Sequence, residues 1–268
     1  MNKFVVACLF GKTVYQPNQE APLSSSNKQI SKQWSILMPD GSRATFSQPR
    51  ALATAEISQI VDQFRRAARN AMSAGFDGVE IHGAHGYLID QFLKDGVNDR
   101  CDEYGGSIEN RCRFAHKIVE VVADEIGAER TAVRLSPIID HNGATDSDPA
   151  ALIRHLIGLL NHYPLAYLHV TEPRFSRDGL KQAEPQGAEK MASEMWSMVR
   201  GEYRGALVRS DGYVRESGME AISKGYADMI SFGRLFISNP DLPLRLAIDS
   251  KLNEYDISTF YTNHQVTK

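Results

Sequence analysis

Short apolar runs bounded by glycine, proline or charge alternate along this chain with longer stretches whose apolar positions recur every three or four residues. That pattern predicts strands alternating with helices. The runs fall at about 4–10, 79–81, 131–135, 166–170, 206–209 and 228–232. Ile57, Ile60, Val61, Phe64, Ala68 and Met72 recur at helical spacing over 54–74, and Phe114, Ile118, Val121, Val122 and Ile126 do so over 111–126. Further helices are expected at 88–93, 148–160, 189–199, 217–224 and 242–248, the second of these opening on Asp148-Pro149, an acidic N-cap before proline. From the second strand onward successive runs start roughly 20 to 50 residues apart, which suits βα units and a parallel sheet. The count reaches six strands, where a closed βα barrel has eight.

Residues 11–50 break the rhythm. Gln16-Pro17-Asn18, Ala21-Pro22, Ser24-Ser25-Ser26, Met38-Pro39-Asp40-Gly41 and Gln48-Pro49 read as a long excursion with a hairpin about Asp40-Gly41. Its length points to a lid or wall over a site. The whole chain, 1–268, is expected to be one partial barrel domain.

Composition narrows the class. With 42% apolar residues, a chain of 268 can bury a large core, and 30 basic against 33 acidic residues leave a formal charge of −3. No electrostatic footprint for nucleic acid is present, although local arginines could hold a small anion. Cys8, Cys101 and Cys112 have no metal-like spacing, and an odd count fits a reducing, cytoplasmic compartment. Phe4 to Phe10 has the flavour of a signal peptide, but the run is short and Gly11-Lys12 ends it, so a buried first strand fits better and no membrane partner is expected. The terminal Val266-Thr267-Lys268 lacks a peroxisomal signal of the Ser-Lys-Leu type.

The candidate chemistry gathers at 78–87. Val79 to Ile81 read as a strand, and His82, Gly83, Ala84, His85, Gly86 and Tyr87 follow where an α/β protein forms its ligand crevice. Two imidazoles offer donors to a developing negative charge, and the phenol offers a weak acid. The same residues admit plainer readings. His82 and His85 could be hydrogen-bonded structural side chains, Tyr87 could anchor the next helix by its ring, and His-x-x-His could hold a metal, though no third ligand is evident and none is expected. Arg134 lies in an apolar strand and must meet a carbonyl, a carboxylate or an anionic ligand, an internal salt bridge being the alternative. Arg174 follows a strand end in the same manner or belongs to a solvated loop. Ser210-Asp211-Gly212 and Gly233-Arg234 follow the last two strands, where barrel loops grip phosphate with backbone amides.

The run from Ala74 to Phe92, Asn98-Asp99-Arg100, Asp102 to Ser107, Glu109-Asn110-Arg111, Arg134 to Pro137, Glu172-Pro173-Arg174, Gly233 to Phe236 and Asn239 to Leu242 resembles the old yellow enzyme family of flavin ene-reductases. The plant 12-oxophytodienoate reductase branch is most similar. The resemblance covers roughly 15–262 and implies a (β/α) barrel carrying FMN at the carboxyl ends of its strands, with NADPH as reductant and a small enone or oxylipin as substrate. By motif, His82 and His85 resemble the pair that hydrogen-bonds the enone carbonyl, and Tyr87 resembles the acid that protonates the α carbon after hydride reaches the β carbon. Gly83, Ala84 and Arg174 resemble parts of the substrate wall. Arg134 resembles the arginine at the flavin's pyrimidine edge, and Ser210, Asp211, Gly212, Gly233 and Arg234 resemble the phosphate grip.

The resemblance has departures. The chain is expected to begin near the family's third strand, giving a barrel truncated to about six parallel strands. Ala7-Cys8-Leu9-Phe10 stands where the family carries Gln-x-Trp-His, so the amide that reads the flavin ring is missing. Asp211 replaces a glycine and would repel phosphate, with Arg209 as a partial offset. No GxGxxG unit offers a separate dinucleotide site, so nicotinamide and enone would visit one pocket in turn. Two classes of function stay open: an FMN-dependent NADPH:enone reductase, and a non-catalytic homologue unable to hold FMN. Oligomeric state is not legible.

Overall fold

The computed structural model describes residues 3–6, 13–38, 40–138, 141–172, 188–210 and 212–260. The expectations concerning Ala7 to Phe10, Arg174, Asp211 and the terminal Val266 to Lys268 lie outside the described residues. In chain order the elements are β1 (Lys3–Val6), β2 (Leu23–Ser24), β3 (Ser35–Leu37), β4 (Arg43–Thr45), β5 (Arg50–Ala51), α1 (Thr54–Ser73), β6 (Gly78–Gly83), α2 (Leu88–Leu93) and α3 (Ile108–Ile126). They continue with β7 (Thr131–Leu135), α4 (Pro149–Leu160), β8 (Tyr167–Thr171), α5 (Ala188–Glu202), β9 (Leu207–Ser210), α6 (Arg215–Ser223), β10 (Met229–Ser231), α7 (Arg234–Ser238) and α8 (Leu242–Ala247).

The expected α/β architecture is present. β1, β6, β7, β8, β9 and β10 form one sheet in that order, every pairing parallel. Among the described residues β1 pairs only with β6 and β10 only with β9, which leaves two edges where a closed barrel has none. The sheet is that of an incomplete TIM-type barrel. The hairpin expected about Asp40-Gly41 is formed by antiparallel β3 and β4.

Side-chain alternation sorts the sheet into two faces. Val79, Ile81, Val133, Leu135, Leu168, Val170 and Leu207 join α1, α3, α4 and α5 in one continuous core. The opposite face carries Glu80, His82, Arg134, Tyr167, His169, Thr171 and Ser210, with Ala132, Tyr167 and Val208 as a separate small apolar floor. The apolar face is what the helices need; the polar face is what gives the rim its chemistry.

Helix signals hold with small shifts. α1 buries Ile57, Ile60, Val61, Phe64 and Ala68 as expected, but Ala71 occupies the buried position that the pattern assigns to Met72. The Glu56 carboxylate accepts the Ala53 N–H at 2.8 Å and so closes its first turn. α3 starts at Ile108, earlier than the expected 111, because Ser107 is its N-cap and accepts the Asn110 N–H at 3.3 Å. Asp148 caps α4 through the Ala151 N–H at 3.0 Å. The sequence pattern did not reveal α7 or the short parallel pair of β2 with β5. That pair brings part of the long excursion onto α2: Ser24 Oγ donates to Gln91 Oε1 at 2.6 Å, and Ser25 Oγ to the Gln91 carbonyl at 2.8 Å.

Candidate active site

β6 is fully enclosed, with all of Gly78 to Gly83 buried. A Cβ on Gly78 would lie 2.4 Å from the Arg130 carbonyl oxygen, so a side chain there would force the end of α3's loop away. A Cβ on Gly83 would meet the Arg134 carbonyl at 3.2 Å and Ile89 at 3.2 Å. These two positions let β6 lie tight against β7, and Ala84, fully buried, continues the close fit.

The turn beyond β6 brings the expected trio together. The rings of His82 and His85 are 5.3 Å apart and edge-on, and those of His82 and Tyr87 are 5.1 Å apart. His82 is buried, whereas His85 and Tyr87 are half-buried and therefore reachable from outside. Burial, aided by the neighbouring Arg134 cation, lowers the His82 imidazole to about 4, so it is neutral near pH 7. Its enclosed Nδ1 has no hydrogen-bond partner among the described residues. An unpaired polar atom of this kind costs about 1–3 kcal/mol and is a fitting place for a ligand oxygen.

Arg134 sits in register between His82 on β6 and His169 on β8, on the polar face. Its Nε–H donates to Thr171 Oγ1 at 3.2 Å. Below it the Glu80 carboxylate accepts from His169 Nδ1 at 3.0 Å with both side chains buried. Burial works to raise Glu80, but the His169 bond and the charges of His169 and Arg134 outweigh it and hold the carboxyl below its usual range. Glu80, Tyr167, His169 and Thr171 were not singled out from the sequence. Their signal is parity: polar residues at 80 and 82, at 134, and at 167, 169 and 171 all fall on one sheet face.

The expected phosphate side lies further along the same rim. Ser210 and Ser231 are register partners at the ends of β9 and β10, and Gly212 and Gly233 each stand two residues beyond. Ser210 is buried with its Oγ 3.5 Å from Thr171 Oγ1. Gly212 has φ 71, a left-handed conformation that favours glycine. A Cβ on Gly233 would meet nothing within 4 Å, so open space lies over that backbone, with half-buried Arg234 directly after it. Arg209 pairs with buried Glu172 at 2.7 Å and lies over the Trp196 ring at 5.4 Å. Its charge is already compensated. A guanidinium, a hydroxyl and two side-chain-free backbones on one rim suit a flat group with an anionic arm, so the donor set fits FMN.

Among the described residues no group of three or more His, Cys, Asp or Glu side chains is placed to hold a metal ion. No helix among them is long and apolar enough to cross a membrane.

The parallel βα sheet carries imidazole, phenol and guanidinium side chains along its carboxyl rim, and the chain belongs to the NADH:flavin oxidoreductase / NADH oxidase family, whose model matches residues 11–253. Within it, the chain is 54% identical over 254 residues to 12-oxophytodienoate reductase 7 of Oryza sativa subsp. japonica, covering 93% of this chain and 64% of that protein. It is 50% identical to 12-oxophytodienoate reductase 1 of the same organism, covering 95% of this chain and 63% of that one. The chain thus spans somewhat under two thirds of the length of these relatives. Among solved structures, morphinone reductase superposes with a TM-score of 0.85 at 38% identity, covering 96% of this chain and 68% of that chain. The old yellow enzyme homologue from Zymomonas mobilis gives 0.83 at 36% identity, covering 94% and 68%. The resemblance to the old yellow enzyme family and its 12-oxophytodienoate reductase branch is borne out.

Proposed function

We propose that this chain is an FMN-dependent NADPH:enone reductase acting on a small enone or oxylipin of the 12-oxophytodienoate type. The observation that carries the reading is the cluster of His82, His85 and Tyr87 at the end of β6, with Arg134 on the adjacent strand. Bound FMN would supply the hydride, passed from its N5 to the enone β carbon, with NADPH as the reductant that restores it. His82 and His85 hydrogen-bond the carbonyl oxygen, which makes the β carbon electrophilic and stabilises the negative charge that grows on oxygen. A neutral His82 suits this task, because it donates one N–H without adding a cation to a site that already holds Arg134. Tyr87 donates its phenolic proton to the α carbon, whose developing carbanion is a strong base.

Arg134 would meet the flavin's pyrimidine edge, and Ser210, Asp211, Gly212, Gly233 and Arg234 its phosphate arm. Gly83, Ala84 and Arg174 would form the substrate wall, with 11–50 as a lid or side. A cytoplasmic location suits the odd cysteine count. The second reading, a homologue that does not hold FMN, draws on Phe236 and Ile237, 42% and 57% exposed just beyond Gly233-Arg234, because a phosphate grip next to uncovered apolar surface lacks a rigid wall. Titration with FMN, followed by quenching of flavin fluorescence and by the visible flavin band after desalting, separates the two. Retained colour and turnover of 2-cyclohexenone with NADPH are expected. Protein that stays colourless after FMN is added sinks the enzyme reading.

A further inference from the structure

β6 fixes His82 directly, but His85 lies three residues later on a turn, so the spacing of the two imidazoles depends on how residues 83–87 are held. His85 has φ 57, a left-handed conformation unusual for a residue with a side chain. Histidine visits that state more often than most residues, but only as a minority conformation. Both of its backbone polar groups are bound by side chains from the loop after β7. The His85 N–H donates to Ser136 Oγ at 2.7 Å, and Asn142 Nδ2 donates to the His85 carbonyl at 3.1 Å.

The clamp is itself braced. Ser136 Oγ, having accepted from His85, turns its own proton toward Asp90 Oδ2 at 3.4 Å. That carboxylate also accepts the Gly86 N–H at 2.7 Å and pairs with Lys94 Nζ at 3.2 Å, both side chains 3% exposed. Lys94 Nζ donates in turn to the Ser136 carbonyl at 3.0 Å. Asn142 is buried and has φ 59, a conformation that asparagine tolerates better than most residues.

We infer that Ser136 and Asn142 are positioning residues for His85: they hold its backbone left-handed and so set the spacing of the imidazole pair, with Asp90 and Lys94 fixing the Ser136 hydroxyl. The inference rests on His85 being a carbonyl donor, as proposed above. A turn released from the clamp relaxes to the extended region and carries the His85 ring away from His82, since misplacement of one donor forfeits a bond that must form along a set direction.

Asn142→Gly and Ser136→Ala test it on the full chain. Glycine is at ease at φ 59, so Asn142→Gly removes the donor without adding strain. In FMN-loaded protein, cyclohexanone binding measured by calorimetry should weaken about tenfold in each variant, while flavin reduction by NADPH stays within about twofold. In FMN-free protein the His85 ring resonance, identified by its loss in His85→Gln, should shift and broaden in both variants. An unchanged His85 resonance in both variants would overturn the inference, whatever the ketone affinity. So would parallel loss of every step along with the thermal midpoint, the mark of a purely structural role. The resonance decides the positioning claim on its own; wild-type protein that refuses both FMN and ketone while its variants still shift His85 would sink the proposed function and leave the clamp standing.

Discussion

Two stretches of one rim are built differently. Beyond β6 and β7 the chain is enclosed: β6 is paired on both sides, every one of its residues is buried, and its turn is bound to Ser136, Asn142, Asp90 and Gln91. Beyond β9 and β10 it is open: β10 pairs on one side among the described residues, Met229 is 43% exposed, and Ile237 and Leu244 are 57% and 60% exposed. The difference teaches where geometry is self-supporting. The half proposed to donate the proton carries its own buried frame, whereas the half expected to grip phosphate stands beside apolar surface that would gain by being covered.

The contrast should be largest in stability. Phe92 is fully buried, with its ring 4.3 Å from that of Phe114 under the β6 turn, so Phe92→Ala should cost about 3–5 kcal/mol in urea unfolding. Phe236→Ala, on the open side, should stay within about 0.5 kcal/mol. Equal losses at the two sites would erase the distinction.

Acid should act through the enclosed half. The His82 imidazole is lowered from 6.5 to about 4, so between those values the unfolded chain binds the proton and the folded one does not. Stability from this group is therefore full above pH 6.5 and falls as pH drops toward 4, by about 3 kcal/mol at most. His82→Gln should flatten that part of the stability profile. A profile with the same slope in both proteins would mean that His82 takes up its proton in the folded state as readily as in the unfolded one.

The smallest contrast is steric. Gly78→Ala drives a Cβ to 2.4 Å from the Arg130 carbonyl oxygen and should cost about 1–3 kcal/mol. Gly233→Ala meets open space and should leave the thermal midpoint nearly unchanged. A comparable drop at Gly233 would show that the phosphate side is already filled.

Much of this was legible in the chain, for local reasons. Strands such as Thr131–Leu135 declare themselves because a buried run ends at Ser136-Pro137, and α4 because Asp148-Pro149 is a start signal. His82, His85 and Tyr87 are within six residues, so the turn had little choice but to bring them together. The clamp was not legible, since Ser136 and Asn142 are 51 and 57 residues from His85 and serine after a strand is an ordinary residue. The same holds for Glu80 with His169, brought together by strand order, and for Ser24 and Ser25 on Gln91, brought together by packing against α2. α7 escaped because Gly233-Arg234 reads as a loop, and a helix of five residues has too few positions to show a period.

Tyr87→Phe in FMN-loaded protein tests the chemistry most directly, because it keeps the ring 5.1 Å from His82 and removes only the proton. Stopped-flow kinetics should show reduction of the flavin by NADPH unchanged and its reoxidation by 2-cyclohexenone slowed by about 10² to 10⁴-fold, the range of general-acid catalysis. Equal slowing of both half-reactions, or of neither, would contradict the role of Tyr87 as the acid and leave it a packing side chain.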